Sequence, residues 1–166
     1  MFVLLTTVEE KMEPLMLVRI AAVVLGIGTL FVVIGLATDY WWSFFNANLG
    51  LWRVCSGVCG SFPVVTGTLS ATRAFAVLSF LAGVAATVVA VLWAVGISIT
   101  EKKMLRLMAV AAGFASAGLG LLAVIIFAAD VGGNFGWSFA LMIVGSIANG
   151  IGGGLLIVPL RGVAAV

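Results

Sequence analysis

The chain contains no histidine and carries charge on only 8% of its 166 residues. The first absence removes the side chain that titrates near neutral pH, and with it His-based acid–base catalysis and most transition-metal sites. The second rules out a water-soluble globule, because soluble domains are about one-quarter charged. Cysteine is scarce too: Cys55 and Cys59 are the only two. A membrane thiol oxidoreductase wants a Cys-x-x-Cys pair and a second pair to relay electrons, so that chemistry is not expected. No phosphate-cradling glycine loop, paired-carboxylate site or basic patch is visible, and Glu9, Glu10 and Glu13 read as part of a tail. The chain is therefore read as non-enzymatic, with no catalytic residues, cofactor, metal, nucleic acid or small-molecule substrate.

What the chain has in abundance is apolar sequence: 64% hydrophobic residues and a mean hydropathy of +1.34. Its eight basic and six acidic residues leave four uncharged runs, 20–38, 74–100, 107–129 and 131–160. About 20 apolar residues cross a bilayer as a helix. Backbone in hydrocarbon must satisfy its own hydrogen bonds, and runs this long and unalternating do not suit barrel strands. Four transmembrane helices are expected, over about 15–38, 74–100, 107–129 and 137–160. The connections at 101–103 and 130–134 are short enough to force a compact up-down bundle, one domain over 1–166. Residues 1–12 are expected to be an unstructured tail, and the Phe2–Leu5 run is too short for a cleavable signal core. Lys11, Arg19, Lys102, Lys103, Arg106 and Arg161 fall on one side of the bundle, against Arg53 and Arg73 on the other. The positive-inside rule then puts both termini in the cytoplasm and segment 39–73 outside.

Small residues fill the spans. Gly150 and Gly154 form a GxxxG pair, and Ser116 with Gly120 a looser equivalent. Lipid offers helices no hydrophobic drive to associate, so these positions are expected to pack the bundle by close backbone approach. Thr87, Ser116 and Asn149 lie near mid-span and are expected to hydrogen-bond between helices. No acidic or basic residue lies at that depth, which argues against a transport path.

Segment 39–73 is the sizeable polar stretch, and its residues have an order. Trp41 is followed by Gly50-Leu51-Trp52, then by Cys55 and Cys59. That order resembles the signature of the claudin superfamily. Thr38-Asp39-Tyr40-Trp41, Ala71-Thr72-Arg73-Ala74-Phe75 and Trp137-Ser138-Phe139 resemble the branch holding the peripheral myelin, epithelial membrane and lens fibre membrane proteins. The resemblance implies a small extracellular antiparallel β-sheet standing on an all-α membrane bundle, with Cys55 and Cys59 disulfide-bonded and Gly-Leu-Trp packed beside the bond. Two cysteines in an exported loop also usually pair in an oxidising compartment. It implies a plasma-membrane protein of cell junctions, acting in membrane organisation or adhesion through lateral or homotypic assembly. The partners would be the lipid bilayer and either further copies of the chain or a larger membrane protein. The alternative is an auxiliary subunit of an ion channel or receptor, as the calcium-channel gamma relatives are. Only three residues separate the cysteines and only eleven positions separate Trp41 from Trp52, so the contact loops of claudins are trimmed and a paracellular pore is not expected. Asp39 and Arg73 close the first span and open the second; either each marks a helix end and faces headgroups, or the two are a candidate ion pair clamping sheet to bundle, with Asp130 as the other partner open to Arg73.

Overall fold

The uncharged runs form four helices: α1 (Phe2–Ala37), α2 (Gly67–Val95), α3 (Lys103–Val131) and α4 (Trp137–Leu155). This computed structural model describes residues 2–97 and 103–159, with side chains described from Leu15 onward. Four segments, Leu15–Ala37, Gly67–Val95, Lys103–Val131 and Trp137–Pro159, are each long and apolar enough to cross a membrane. The chain is a multi-pass membrane protein on that length and composition. Ile27, Leu81, Val88, Ile125 and Ile147 project from the bundle and stay exposed, as lipid-facing side chains do.

Several boundaries differ from the expectation. The backbone is helical back to Phe2, so residues 2–12 continue α1 rather than forming an unstructured tail. Helix α2 starts at Gly67, well before residue 74. Thr66 caps it, its hydroxyl accepting from the Leu69 N–H at 3.2 Å. The first turns of the helix therefore lie before Arg73, whose charge does not mark its start. At the other end α2 stops at Val95, where Gly96 takes a left-handed conformation (φ 78) and closes the helix. Positions 98–102, which the expected span and inner turn included, lie outside the described residues, as do Lys102 and Arg161.

Between α1 and α2 a four-stranded antiparallel meander stands on one end of the bundle. Its strands are β1 (Trp42–Phe44), β2 (Ala47–Leu49), β3 (Arg53–Ser56) and β4 (Val58–Ser61), in sheet order β1-β2-β3-β4. β1 is tied to the connection between α3 and α4: the Ser43 N–H donates to the Asn134 carbonyl at 3.1 Å, and Trp42 bridges to Phe135. That connection is tight because Gly132, Gly133 and Asn134 all take positive φ, of 59, 68 and 53.

Helix α1 lies against α4, and α2 against α3. Two apolar clusters fill the bundle. The cluster under the sheet includes Leu36, Trp41, Leu51, Phe127 and Met142; the one at the far end includes Val18, Leu25, Trp93 and Leu156. A belt of buried polar side chains separates them.

Candidate functional site

The sheet end is organised by the last turn of α1. A helix leaves its final carbonyls without intrahelical partners, and in a low-dielectric setting each must find a donor. The Trp41 indole N–H donates to the Gly35 carbonyl at 2.6 Å, and the Trp52 indole N–H to the Leu36 carbonyl at 2.9 Å. Both tryptophans of the motif thus cap one helix end. They sit differently, however. Trp41 is fully buried and meets Phe127 and Phe139 edge-on, at centroid distances of 5.0 and 5.8 Å. It is a core residue, not a member of an interfacial aromatic belt. Trp52 is 43% exposed and lies on the rim.

The Gly50-Leu51 pair has an equally local cause. A Cβ on Gly50 would lie 2.5 Å from the Asp39 Cα, so only glycine lets the strand ends cross there. Leu51 is fully buried under the sheet, and the Gly50 N–H closes a tight turn by donating to the Arg53 carbonyl at 2.9 Å. That turn brings Arg53 back to Asp39, with Nε 3.3 Å from Oδ2. The candidate Asp39–Arg73 clamp is therefore not formed; Asp39 pairs with Arg53 instead. Arg73 lies inside α2 and reaches upward, donating from Nε to the Leu51 carbonyl at 2.6 Å. Its guanidinium lies over the rings of Trp52 and Phe62, at 5.2 and 5.3 Å from their centroids. Asp130, the other candidate, accepts from the Thr68 hydroxyl at 2.9 Å. The Arg73 side chain does hold sheet to bundle, through a carbonyl and two rings.

Cys55 and Cys59 are disulfide-bonded and face each other in the β3–β4 register, with Gly57 at φ 79 in the turn between them. The loop so closed is very short, so its chain-entropy contribution should fall below the ~3 kcal/mol of a 15-residue loop. A Cys55→Ser/Cys59→Ser double variant is expected to keep the fold with a small drop in melting temperature. Thermal unfolding in detergent checks this, and loss of the folded state in that variant would contradict it.

Mid-bundle, the polar belt joins all four helices. Thr29 of α1 donates to the Asn149 Oδ1 at 3.4 Å and lies 3.2 Å from the Thr87 hydroxyl. The Asn149 amide of α4 donates to the Ser116 hydroxyl at 2.8 Å. Ser79 and Ser116 exchange hydroxyl-to-carbonyl bonds across α2 and α3, at 2.7 and 2.8 Å. Gly83 makes room for the cluster: a Cβ there would lie 2.8 Å from the Thr29 hydroxyl and 3.0 Å from the Asn149 nitrogen. Thr29 and Ser79 were not singled out from sequence, because one hydroxyl among small residues carries no spacing signal. Gly120 fits against Ser146 and Ser79. Gly150 approaches Ala117 and Gly154 approaches Phe114, so both face α3 within the chain. The closest backbone approaches between helices lie elsewhere, between α1 and α4 at Gly28, Gly35 and Gly145, and Gly152 takes the Leu25 side chain.

Among the described residues no group of three or more His, Cys, Asp or Glu side chains is placed to hold a metal. The surface at the sheet end is aromatic instead. Tyr40, Phe44, Phe45, Phe135 and Trp137 are all at least 41% exposed, and neither 40–49 nor 131–138 contains a charged residue. No family model matches the chain, and no curated protein matches it either.

Proposed function

We propose that the chain is a claudin-like tetraspan protein of the plasma membrane that organises membrane contacts by assembling with copies of itself, laterally or across a junction. In this reading both termini are cytoplasmic and the sheet is extracellular, an orientation supported by Arg53 and Arg73 at the sheet end against Arg19, Lys103 and Arg106 at the other. The order Trp41, Gly50-Leu51-Trp52, Cys55, Cys59 supports the family reading. Trp41, Gly50, Leu51 and Trp52 also have local tasks in seating the sheet on the bundle, and the disulfide closes the β3–β4 turn.

Phe45 carries the assembly reading. It sits at the tip of the β1–β2 hairpin with φ 49, a left-handed conformation that costs an L-residue roughly 1–2 kcal/mol. Its ring is 91% exposed and touches Phe44 edge-on at 4.5 Å, so it gains little from its own chain. A bulky aromatic held out at a strained tip, beside an uncharged aromatic rim, suits burial against a partner.

A Phe45→Gly variant should keep wild-type thermal stability or exceed it by up to about 1 kcal/mol, while losing self-association. Chemical crosslinking in gentle detergent reads the second effect. Undiminished crosslinking of Phe45→Gly would remove the rim as the assembly surface. Stoichiometric copurification of a larger membrane protein would favour the auxiliary-subunit reading.

A further inference from the structure

Between the sheet, the first turns of α2 and the last turn of α3 lies a partly open cavity of about 180 Å³. Leu49, Phe62, Val64, Leu69 and Phe127 form much of its wall, and Asp130 contributes a carboxylate. Protein interiors are close-packed, and an apolar void of roughly 150 Å³ is already large enough to take up benzene. This cavity therefore has room for a small apolar group. It lies where two membrane-spanning helices end, so lipid is the molecule at hand.

The charges around it are specific. Asp130 uses Oδ2 to accept from Thr68, leaving Oδ1 without a partner among the described residues. The Thr68 hydroxyl is 3.0 Å from that of Thr66; since it donates to Asp130, Thr66 must donate to it. Thr66 in turn accepts from the Leu69 N–H, so the carboxylate is held by a relay anchored in the α2 cap. On the other side, Phe62 is shared between the cavity and the Arg73 guanidinium. Arg73 has no carboxylate partner among the described residues, only the Leu51 carbonyl and two rings. A cation and an anion, neither with an ionic partner among the described residues, thus flank one largely apolar cavity that includes the rings of Phe62 and Phe127.

We propose that this cavity is a headgroup site for a zwitterionic phospholipid of the phosphocholine class, independent of the assembly reading. The quaternary ammonium sits in the cavity beside Phe127 and the Asp130 carboxylate, and the phosphate sits at Arg73. A trimethylammonium group suits these walls better than a primary ammonium. It brings no N–H donors, and beyond Asp130 the wall offers few acceptors, whereas aromatic rings with one carboxylate favour a quaternary cation. Anionic headgroups without a cation would meet Asp130 unfavourably.

Native mass spectrometry of the full chain, purified in detergent and given lipids of identical acyl chains, tests the site. One phosphatidylcholine per chain should be retained, about tenfold more strongly than phosphatidylglycerol, a difference of 1.4 kcal/mol. Phosphatidylethanolamine should fall between them. Asp130→Asn, an exposed and nearly isosteric change that can still accept from Thr68, should bring phosphatidylcholine down to the phosphatidylglycerol level. Leu69→Trp, which fills the cavity, should release the lipid. Excess soluble phosphocholine should displace the lipid from wild-type chain, tying retention to the headgroup. Equal retention of all three lipids by wild type would overturn the proposal without recourse to any variant. So would phosphatidylcholine retention unchanged in Asp130→Asn.

Discussion

Gly145→Ala is expected to lower the stability of the bundle by about 3 kcal/mol, the upper end of the usual overpacking cost. A Cβ at this position would lie 2.7 Å from the Gly28 carbonyl oxygen, 2.9 Å from the Val32 nitrogen and 3.0 Å from the Phe31 Cβ. Two of these are backbone atoms of α1, which cannot rotate away. Relief comes only by moving α1 off α4, which pulls Thr29 from Asn149 and opens the polar belt. Gly154→Ala should do nothing of the kind, since its Cβ would meet only the tip of Phe114 at 4.0 Å. That variant should gain slightly from the better helix propensity of alanine. Thermal unfolding of the two variants in the same detergent separates them. Equal midpoints would mean that α1 and α4 are not in the close contact described.

Trp41→Ala is expected to cost about 3–5 kcal/mol, the range for truncating a buried aromatic. The substitution empties the space between Phe127 and Phe139 and also strands the Gly35 carbonyl. Trp41→Phe isolates the second effect: it keeps a ring but loses the donor, and should cost about 1–3 kcal/mol. Trp52→Ala should fall below Trp41→Ala because its ring is 43% exposed, although it too frees a carbonyl of α1. Denaturant or thermal unfolding monitored by circular dichroism ranks the three. A Trp52→Ala effect as large as that of Trp41→Ala would show that the rim, not the core, seats the sheet.

Hydropathy alone located all four helices, because runs of this length have one solution in a bilayer. The ends were harder. Arg73 marked a boundary by its charge, yet its long side chain lets the helix start at Gly67 while the guanidinium reaches the Leu51 carbonyl. The partner of Asp39 is hidden in the sequence for a related reason: Arg53 returns to it only because Gly50 lacks a Cβ, and a turn of that kind leaves no charge pattern to read. Among the small residues the four-residue spacing of Gly150 and Gly154 drew attention. The tighter contacts use a spacing of seven, Gly28 with Gly35 and Gly145 with Gly152. Which of two glycine rows faces a neighbour depends on the rotation of each helix about its axis, and that is settled by the fit between two helices. The tasks of Trp41 and Trp52 as caps for one helix end were likewise invisible, because they depend on where α1 runs out.

The pairing of the first helix with the last has a consequence for biogenesis. During synthesis α1 leaves the ribosome before its main partner exists, and its Gly28, Thr29 and Gly35 face stays uncovered until α4 arrives. α2 and α3 meet sooner and can exchange their serine bonds as a hairpin, and Thr87 of α2 can reach Thr29, but the link from Thr29 to Ser116 of α3 runs through Asn149. The last span therefore acts as a completeness signal. A chain that lacks it, or inserts it wrongly, leaves a polar groove open in the membrane for quality-control factors to find. Lesions in α4 should then lower the amount of folded protein in the membrane more than they alter the behaviour of the molecules that do fold.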